Sequence, residues 1–224
     1  MTLWAIIPVK PLREGKSRLA QVLNPDERER INRWLLQNTL DQVGRTPGID
    51  QVLVVSRDTA ALALARSWGA RVLQEAGDAD LNRTLARTAA LLHEWRVPFM
   101  LVLAVDLPHL THEDLEAVVQ PLRAEPVPEG GRMVIAPDRE RQGTNALGLA
   151  PPAGHTFAYG PGSFLRHLRA AHAQGREVHV VHRPGLARDL DWPQDITLLR
   201  HAFPGLVQKA MFEHIRQSPS PWPG

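Results

Sequence analysis

Short, continuously apolar segments alternate along the chain with longer segments in which apolar residues recur every three or four positions. A short apolar run predicts a strand buried on both faces, whereas the three-to-four spacing predicts an amphipathic helix. The predicted strands are residues 3–8, 51–56, 71–73, 99–105, 133–136, 145–149 and 177–182. The predicted helices are residues 25–43, 59–68, 81–95, 113–123, 163–173 and 193–200.

Residues typical of helix ends support these boundaries. Asn24 precedes Pro25, which is the order expected of an N-cap followed by proline in the first helical turn. Thr111 and Asp114 are three residues apart, as in a capping box. The alternation of strands and helices predicts an α/β fold: a mostly parallel mixed sheet with helices on both faces. In such folds ligands bind beyond the carboxyl ends of the strands.

The composition fits one globular domain. The chain has 224 residues, of which 43% are hydrophobic and 22% are charged. We expect a single domain over residues 1–203, followed by a C-terminal helix or tail over residues 204–224. The end of this tail reads S-P-S-P-W-P-G from Ser218, which predicts a flexible segment or a contact arm.

Charge and cysteine content exclude several classes of function. The 26 Lys and Arg residues nearly balance the 24 Asp and Glu residues, and neither a basic tail nor an aromatic-basic alternation favours nucleic-acid binding. The chain has no cysteine, which excludes disulfides, zinc-thiolate sites, iron–sulfur clusters and a thiol nucleophile. No signal peptide or run of membrane-spanning length is evident, so we expect a cytoplasmic protein that binds no membrane.

The most informative segment is a basic loop that follows the first predicted strand. Residues 6–19 read I-I-P-V-K-P-L-R-E-G-K-S-R-L, with cations at Lys10, Arg13, Lys16 and Arg18. A strand that opens onto a loop rich in positive charge and containing a glycine is typical of phosphate binding in α/β proteins. The alternative is a solvated basic turn.

Acidic residues follow two other segments. Asp106 comes after the most hydrophobic strand, where it either braces the next turn or serves as a metal ligand. Asp189 and Asp191 are two residues apart, so an extended backbone directs both carboxylates to the same side. Mg²⁺ suits such a pair because it takes carboxylate, water and phosphate oxygens. The alternative is a solvated acidic turn beside Arg188.

A third candidate site combines G-T-N-A-L, from Gly143, with Y-G-P-G-S-F, from Tyr159. Ser163 stands at the start of a predicted helix after two glycines, where free N–H groups would bind an anion. Thr144 adds a hydroxyl from the end of a neighbouring strand. A basic loop and a separate helix start suggest two phosphorylated substrates, although Ser163 alone is also explained as an ordinary N-cap.

Two further polar positions lie near helix starts. Residues 77–81 lead into Asn82, which either contacts a base or ribose or belongs to simple capping by Asp78 or Asp80. Asp195 is expected in the first turn of the last helix, where it would stabilise the helix dipole without binding a metal.

Five segments together resemble the 2-phospho-L-lactate and phosphoenolpyruvate guanylyltransferase family of coenzyme F-420 biosynthesis. They are I-P-V-K-P-L-R-E-G-K-S-R-L, D-L-P-H-L, P-D-R-E-R-Q-G-T-N-A-L, G-P-G-S-F and D-L-D-W-P-Q-D. They occur in order from Ile7 to Asp195, so the resemblance covers nearly the whole chain except the tail. The loop has Pro8 and Val9 where sugar and molybdopterin nucleotidyltransferases commonly have paired glycines, which disfavours those relatives.

The resemblance implies a Rossmann-like nucleotidyltransferase fold of the GT-A-like type. It implies that Mg²⁺ is bound by three carboxylates, Asp106, Asp189 and Asp191. It implies that a phosphorylated three-carbon acid binds at three residues, Thr144, Gly160 and Ser163. The partners expected are therefore GTP and this acid, with a homodimer also possible.

The expected reaction is nucleotidyl transfer, in which a phosphate oxygen of the acid attacks the α-phosphorus of GTP and pyrophosphate leaves. Alignment and charge neutralisation dominate such transfers. The residues expected to bind GTP are Arg13, Lys16, Asn82 and Asp106, and the catalytic role falls to Lys16, Arg13 and Asp106. Lys10 and Arg18 remain open between ligand binding and bracing. The alternatives are another acceptor (3-phosphoglycerate, a sugar phosphate or molybdopterin), a non-catalytic nucleotide-binding module, and an interaction protein that uses its Pro-rich tail.

Overall fold

The computed structural model describes residues 1–75 and 80–196. The seven strands are β1 (Leu3–Pro8), β2 (Gln51–Ser56), β3 (Arg71–Gln74), β4 (Phe99–Leu103), β5 (Arg132–Pro137), β6 (Thr144–Ala150) and β7 (Glu177–Val180). Within these residues six α-helices are complete: α1 (Pro25–Arg45), α2 (Thr59–Ser67), α3 (Leu81–Glu94), α4 (His112–Arg123), α5 (Ser163–Ala173) and α6 (Pro184–Ala187). A 3-10 helix, Ser17–Gln21, precedes α1.

The strands form one sheet in the order β3-β2-β1-β4-β6-β5-β7. All neighbours pair in parallel except β6, which is antiparallel to both β4 and β5. The carboxyl ends of the other six strands therefore lie at one edge, and the first residue of β6 lies at that same edge. This arrangement confirms the predicted mostly parallel mixed sheet, and it brings Thr144 to the edge at which ligands bind in α/β folds.

Helices cover both faces of the sheet because side chains alternate along each strand. In β1, Leu3, Ala5 and Ile7 pack with α1, α2 and α4 in one core cluster. Trp4 and Ile6 point to the opposite face and pack with α3 and α5 in a second cluster. The runs that are apolar at every position are thus buried from both sides, as the sequence pattern predicts.

A third, smaller apolar cluster joins three segments that are distant in the chain. Leu19 of the 3-10 helix and Leu190 are both fully buried in it, together with Ile31 and Leu35 of α1. The backbone N–H of Leu190 also donates to the carbonyl oxygen of Asp106 at 2.9 Å. This packing holds the residues that flank Leu190 against the basic loop.

Most predicted boundaries agree with the structure to within two residues. β4 ends at Leu103, two residues earlier than predicted, and β7 ends at Val180 instead of residue 182. The 3-10 helix and α6 were not predicted, because each is too short to show a helical period. Residues 193–196 are helical, whereas the rest of the predicted last helix and the tail over residues 204–224 lie outside the described residues.

Capping explains why the long helices begin where they do. The Asn24 side chain accepts from Glu27 N–H, and the Glu27 side chain accepts from Asn24 N–H, which completes a capping box before Pro25. Thr111 and Asp114 make the same reciprocal pair at the start of α4. Among the described helices, none is both long and apolar enough to cross a membrane.

Candidate active site

A cleft of about 740 Å³ runs along the carboxyl edge of the sheet. One part is lined by the loop after β1, including Lys10, Gly15 and Lys16. The other part is lined by residues at the start of β6 and around the start of α5: Gly143, Thr144, Asn145, Tyr159, Gly160 and Ser163. Asp106, Asp189 and Asp191 also line the cleft. The structure thus brings together seven predicted site residues: Lys16, Asp106, Thr144, Gly160, Ser163, Asp189 and Asp191.

Lys16 is held between two of the predicted carboxylates. Its Nζ donates to Asp106 Oδ2 at 2.9 Å and to Asp191 Oδ1 at 3.1 Å, and only 7% of its side chain is exposed. Its backbone lies in the left-handed region, at φ 60° and ψ 40°. Such a conformation costs a non-glycine residue on the order of 1 kcal/mol and concentrates at functional sites. The conformation of Lys16 therefore supports a functional role for this ammonium group.

The charges of this cluster shift the ionisation of its members. Burial disfavours the charged form of Lys16, but the negative charges of Asp106 and Asp191 outweigh it, so the pKa of Lys16 is raised. Burial likewise opposes ionisation of Asp106, and the Lys16 ammonium reverses this, so the pKa of Asp106 is lowered. Among the described residues no cation forms an ion pair with Asp189: burial, followed by repulsion from Asp106 and Asp191, raises its pKa to about 6. The cluster is therefore short of positive charge.

The chemistry of the donor set fits Mg²⁺. Three carboxylates that repel one another are relieved by a divalent cation, and repulsion from Asp106 and Asp191 adds to the effect of burial in raising the pKa of Asp189. Within residues 1–75 and 80–196, however, no three His, Asp or Glu side chains are grouped tightly enough to hold a metal ion. Lys16 is the cation placed among these carboxylates, so metal binding by all three requires them to come closer together.

The structure places Arg13 away from the cleft. Its guanidinium pairs with Glu29 at 2.6 Å and with Asp26 at 3.6 Å, both on α1, and 73% of its side chain is exposed. Arg18 pairs with Asp191 at 3.1 Å and stacks over Trp192, but 57% of its side chain is exposed. The contacts of Arg18 favour bracing of Asp191, and a role for Arg13 in GTP binding stays a prediction.

Asn82 is not among the residues that line the cleft, but it holds the backbone of Tyr159, which is. Its side-chain oxygen accepts from Tyr159 N–H at 2.6 Å, and its amide donates to Tyr159 carbonyl oxygen at 3.3 Å. Asp80 caps α3 by accepting from the N–H groups of Asn82 and Arg83, whereas Asp78 lies outside the described residues. The Asn82 amide is occupied in this way, and its predicted contact with GTP stays untested.

Asp195 accepts from the N–H groups of Asp191 and Trp192, so it stabilises the turn that carries Asp191.

The second part of the cleft contains a buried network of hydroxyl groups. Ser163 Oγ and Thr144 Oγ1 are 3.1 Å apart, and Thr144 Oγ1 is also 3.1 Å from His167 Nδ1. His167 Nε2 accepts the backbone N–H of Ala158 at 2.9 Å. Ser163 and His167 are four residues apart on α5, so they share one helix face. That spacing is the sequence signal by which His167 could have been recognised.

The first N–H groups of α5 have protein partners, which differs from the prediction that they are free to bind an anion. Ser163 N–H donates to Gly160 carbonyl oxygen at 3.0 Å, and Phe164 N–H donates to Gln142 carbonyl oxygen at 3.5 Å. Gly162, the N-cap, adopts φ 71°, which turns the chain tightly enough for the first of these bonds. An anion bound at this place would therefore depend more on the Thr144 and Ser163 hydroxyls than on the helix N-terminus.

Two buried histidines on this side of the cleft predict how stability changes with pH. Burial, with a contribution from Arg176, lowers the pKa of His155 to about 4. Burial, with contributions from His155 and Arg166, lowers that of His167 to about 3. In the unfolded chain both titrate near about 6.5, so below that pH the unfolded state binds more protons. The contribution of these histidines to the free energy of unfolding should therefore be fully present above about pH 6.5. Below that pH the free energy of unfolding should fall, by up to about 1.4 kcal/mol per pH unit for each histidine.

Urea unfolding between about pH 7 and about pH 5 measures this slope. Asp189 acts in the opposite direction below its pKa of about 6, because the folded state then binds the extra proton. His167→Asn should reduce the slope, while His172→Asn, which changes an exposed residue on the same helix, should not. A free energy of unfolding that does not change between these pH values would contradict the burial of the two histidines as neutral groups.

The fold is shared with solved nucleotidyltransferase structures. A protein from Desulfovibrio desulfuricans, assigned as a nucleotide-diphospho-sugar transferase, superposes with a TM-score of 0.72 at 15% identity, covering 91% of this chain and 88% of the other. A 4-diphosphocytidyl-2C-methyl-D-erythritol synthase from Anaerococcus prevotii superposes with a TM-score of 0.62 at 13% identity, covering 91% and 96%. The chain therefore has the fold of these nucleotidyltransferases, with a charged cleft at the carboxyl edge of its sheet.

Sequence comparison identifies the family to which the chain belongs. The family model for CofC-like guanylyl transferases matches residues 3–205, and the chain belongs to this family. A relative from Rubrobacter xylanophilus, named phosphoenolpyruvate guanylyltransferase, is 41% identical over 199 residues, covering 89% of this chain and 94% of the relative. A relative of the same name from Sphaerobacter thermophilus is 37% identical over 198 residues, covering 88% and 91%. These matches confirm the resemblance that the sequence motifs indicate.

Proposed function

We propose that this protein transfers GMP from GTP to the phosphate of phosphoenolpyruvate and releases pyrophosphate, as a step of coenzyme F-420 biosynthesis. The observation that carries the proposal is the composition of the cleft. A buried ammonium among carboxylates lines one part of it, and a buried hydroxyl pair lines the other. The names of the relatives supply the acceptor and the guanylyl group.

In the proposed reaction a phosphate oxygen of the acceptor forms a bond to the α-phosphorus of GTP. The bond between that phosphorus and the oxygen bridging to the β-phosphorus breaks, and the electron pair leaves with pyrophosphate. Lys16 would contact the triphosphate oxygens and stabilise the charge that develops on pyrophosphate. Thr144, Gly160 and Ser163 would hold the acceptor so that its phosphate faces the α-phosphorus.

Asp106, Asp189 and Asp191 are the residues that would hold Mg²⁺. When bound, the ion would supply charge neutralisation on the phosphate oxygens of both substrates. Asp106 and Asp191 would orient Lys16 within the same cluster, and Asp195 would keep Asp191 in place through its backbone. In this proposal Lys16 contacts Asp106 and Asp191 in the free protein and the triphosphate when GTP is bound.

Product analysis tests the proposal directly. The protein is incubated with Mg²⁺ and GTP together with phosphoenolpyruvate, 2-phospho-L-lactate and 3-phosphoglycerate, and the nucleotide products are identified by mass spectrometry. We expect the phosphoenolpyruvate adduct of GMP to predominate, at least about tenfold over the other two, because the pocket around a small acid discriminates by shape and hydrogen bonding. Pyrophosphate release is measured in parallel with each nucleoside triphosphate.

The Asp106→Asn variant controls for contaminating enzymes, since it should form adduct about 100-fold or more slowly than the wild type. Predominance of the 2-phospho-L-lactate adduct would reassign the acceptor within the same reaction. A separate incubation supplies a sugar phosphate or molybdopterin in place of the three acids, and an adduct formed only there would overturn the proposed acceptor class. GTP binding without pyrophosphate release for any acceptor would instead indicate a non-catalytic nucleotide-binding protein.

A further inference from the structure

The hydrogen bonds around Thr144 leave one hydroxyl hydrogen unused. Because Ala158 N–H can only donate, His167 Nε2 must be the acceptor, and a neutral ring then carries its hydrogen on Nδ1. Nδ1–H therefore donates to Thr144 Oγ1. The Thr144 and Ser163 hydroxyls have two hydrogens between them, and one is used in the bond that joins them. The other remains available to a ligand in the cleft.

The opposite ring tautomer would remove this donor. With the hydrogen on Nε2, the ring would accept at Nδ1 and take the Thr144 hydrogen, and Ser163 would then donate to Thr144. No hydroxyl hydrogen would remain, and the site would present only lone pairs to an anion. The tautomer of His167 thus decides whether the hydroxyl pair attracts or repels anionic oxygen.

The surroundings of His167 fix the ring in place. The residue is fully buried, its ring packs edge-on against Tyr159 at 4.8 Å, and it lies 5.5 Å from the His155 ring. Burial also holds its pKa at about 3, so the ring stays neutral and keeps one donor and one acceptor. Ser163 N–H and Phe164 N–H already have protein partners, so an anion at this place depends on the hydroxyls.

We propose that His167 is a positioning residue: its Nδ1–H directs the Thr144–Ser163 hydroxyl pair to donate to an anionic oxygen of the acceptor. The inference rests on the proposed function, which places the acceptor at these hydroxyls, and it adds a residue that contacts no substrate. The bond chain from Ala158 through the ring to Thr144 also polarises the hydroxyl, which strengthens its donation to a charged oxygen.

Two substitutions of His167 separate its two nitrogens. In His167→Asn the side-chain amide nitrogen takes the place of Nδ1 and can still donate to Thr144. In His167→Gln the amide oxygen takes the place of Nε2 and can still accept from Ala158, but the donor to Thr144 is lost. We expect His167→Gln to raise the KM for phosphoenolpyruvate about tenfold with an unchanged KM for GTP. His167→Asn should stay within about threefold of the wild type.

A double-mutant cycle distinguishes positioning from general structural support. Thr144→Val removes the hydroxyl while keeping the shape of the side chain. In that background His167→Gln should change the KM for phosphoenolpyruvate less than about twofold, because the group it positions is gone. An undiminished effect in the Thr144→Val background would overturn the proposal, as would equal effects of the Asn and Gln variants.

The tautomer itself is measured without substrate, by NMR of the wild-type protein labelled with ¹⁵N-histidine, with His167→Asn used to assign the signals. A hydrogen on Nδ1 is expected, and a hydrogen on Nε2 would overturn the inference even in a fully active enzyme. If the wild type forms no phosphoenolpyruvate adduct but has the Nδ1–H tautomer, the proposed function fails. In that case inorganic phosphate binding, compared between wild type and His167→Gln, decides the inference: equal affinity overturns it.

Discussion

Replacing Asp106 with Asn should lower kcat for guanylyl transfer by about 100-fold or more. Asp106 holds Lys16 at 2.9 Å and lies with Asp189 and Asp191 along the cleft, so the amide removes both an anchor for the ammonium and a proposed ligand of Mg²⁺. The measurement is pyrophosphate release at saturating GTP, phosphoenolpyruvate and Mg²⁺. The same variant should lower the pKa of Asp189 from about 6, because one of the charges that raises it is gone.

Asp50→Asn provides a matched control. Asp50 also accepts from a cation and a backbone N–H, namely Arg123 at 2.9 Å and Leu3 at 2.7 Å, but it lies at the amino end of β2, on the opposite edge of the sheet. The control should lose stability without losing kcat. Near-normal turnover of Asp106→Asn would show that Asp106 is not part of the reacting centre.

Replacing Lys16 with Met should lower kcat/KM for GTP by about 100- to 1000-fold. Methionine keeps the length and most of the volume of the side chain but removes the ammonium that neutralises Asp106 and Asp191. The remaining carboxylates would then repel the triphosphate. Steady-state kinetics and calorimetric titration with GTP measure the loss, and circular dichroism verifies that the variant is folded.

Arg18→Met is the matched comparison, because Arg18 contacts the same carboxylate from the solvent side. With 57% of its side chain exposed, it should contribute little, and we expect a loss of less than about tenfold. Equal losses in the two variants would mean that net positive charge near Asp191 matters and that the buried position of Lys16 does not.

Part of the carboxylate cluster can be predicted from the local sequence, and part cannot. The alternating pattern after Arg188 predicts that Asp189 and Asp191 face the same side, and the strand before Asp106 predicts that this residue lies at the carboxyl edge. Their meeting depends on Leu190, which is buried with Leu19 and Ile31 in the third cluster. Local periodicity cannot predict an apolar contact between residues that are so far apart in the chain.

The basic loop after β1 is a second example of an arrangement that the local sequence does not determine. Its four cations are equivalent in the sequence, yet the structure gives them different surroundings. Lys16 is turned into the carboxylate cluster by a left-handed backbone, whereas Arg13 is directed outwards to Glu29 of α1. Two features set the position of Lys16: its left-handed turn, and the packing of Gly15 against Asn32, where a side chain at Gly15 would collide.

The sequence by itself determined the succession of strands and helices along the chain, the helix caps and the edge of the sheet at which the site lies. Through its motifs it also determined the family. These features depend on residues that are neighbours in the chain or follow a fixed period. The tertiary structure alone decided the antiparallel placement of β6, the pairing of Lys16 with Asp106 and Asp191, and the ring of His167 behind Thr144. Those features arise from apolar packing between distant segments, which sets distances and hydrogen-bond directions that no local pattern encodes.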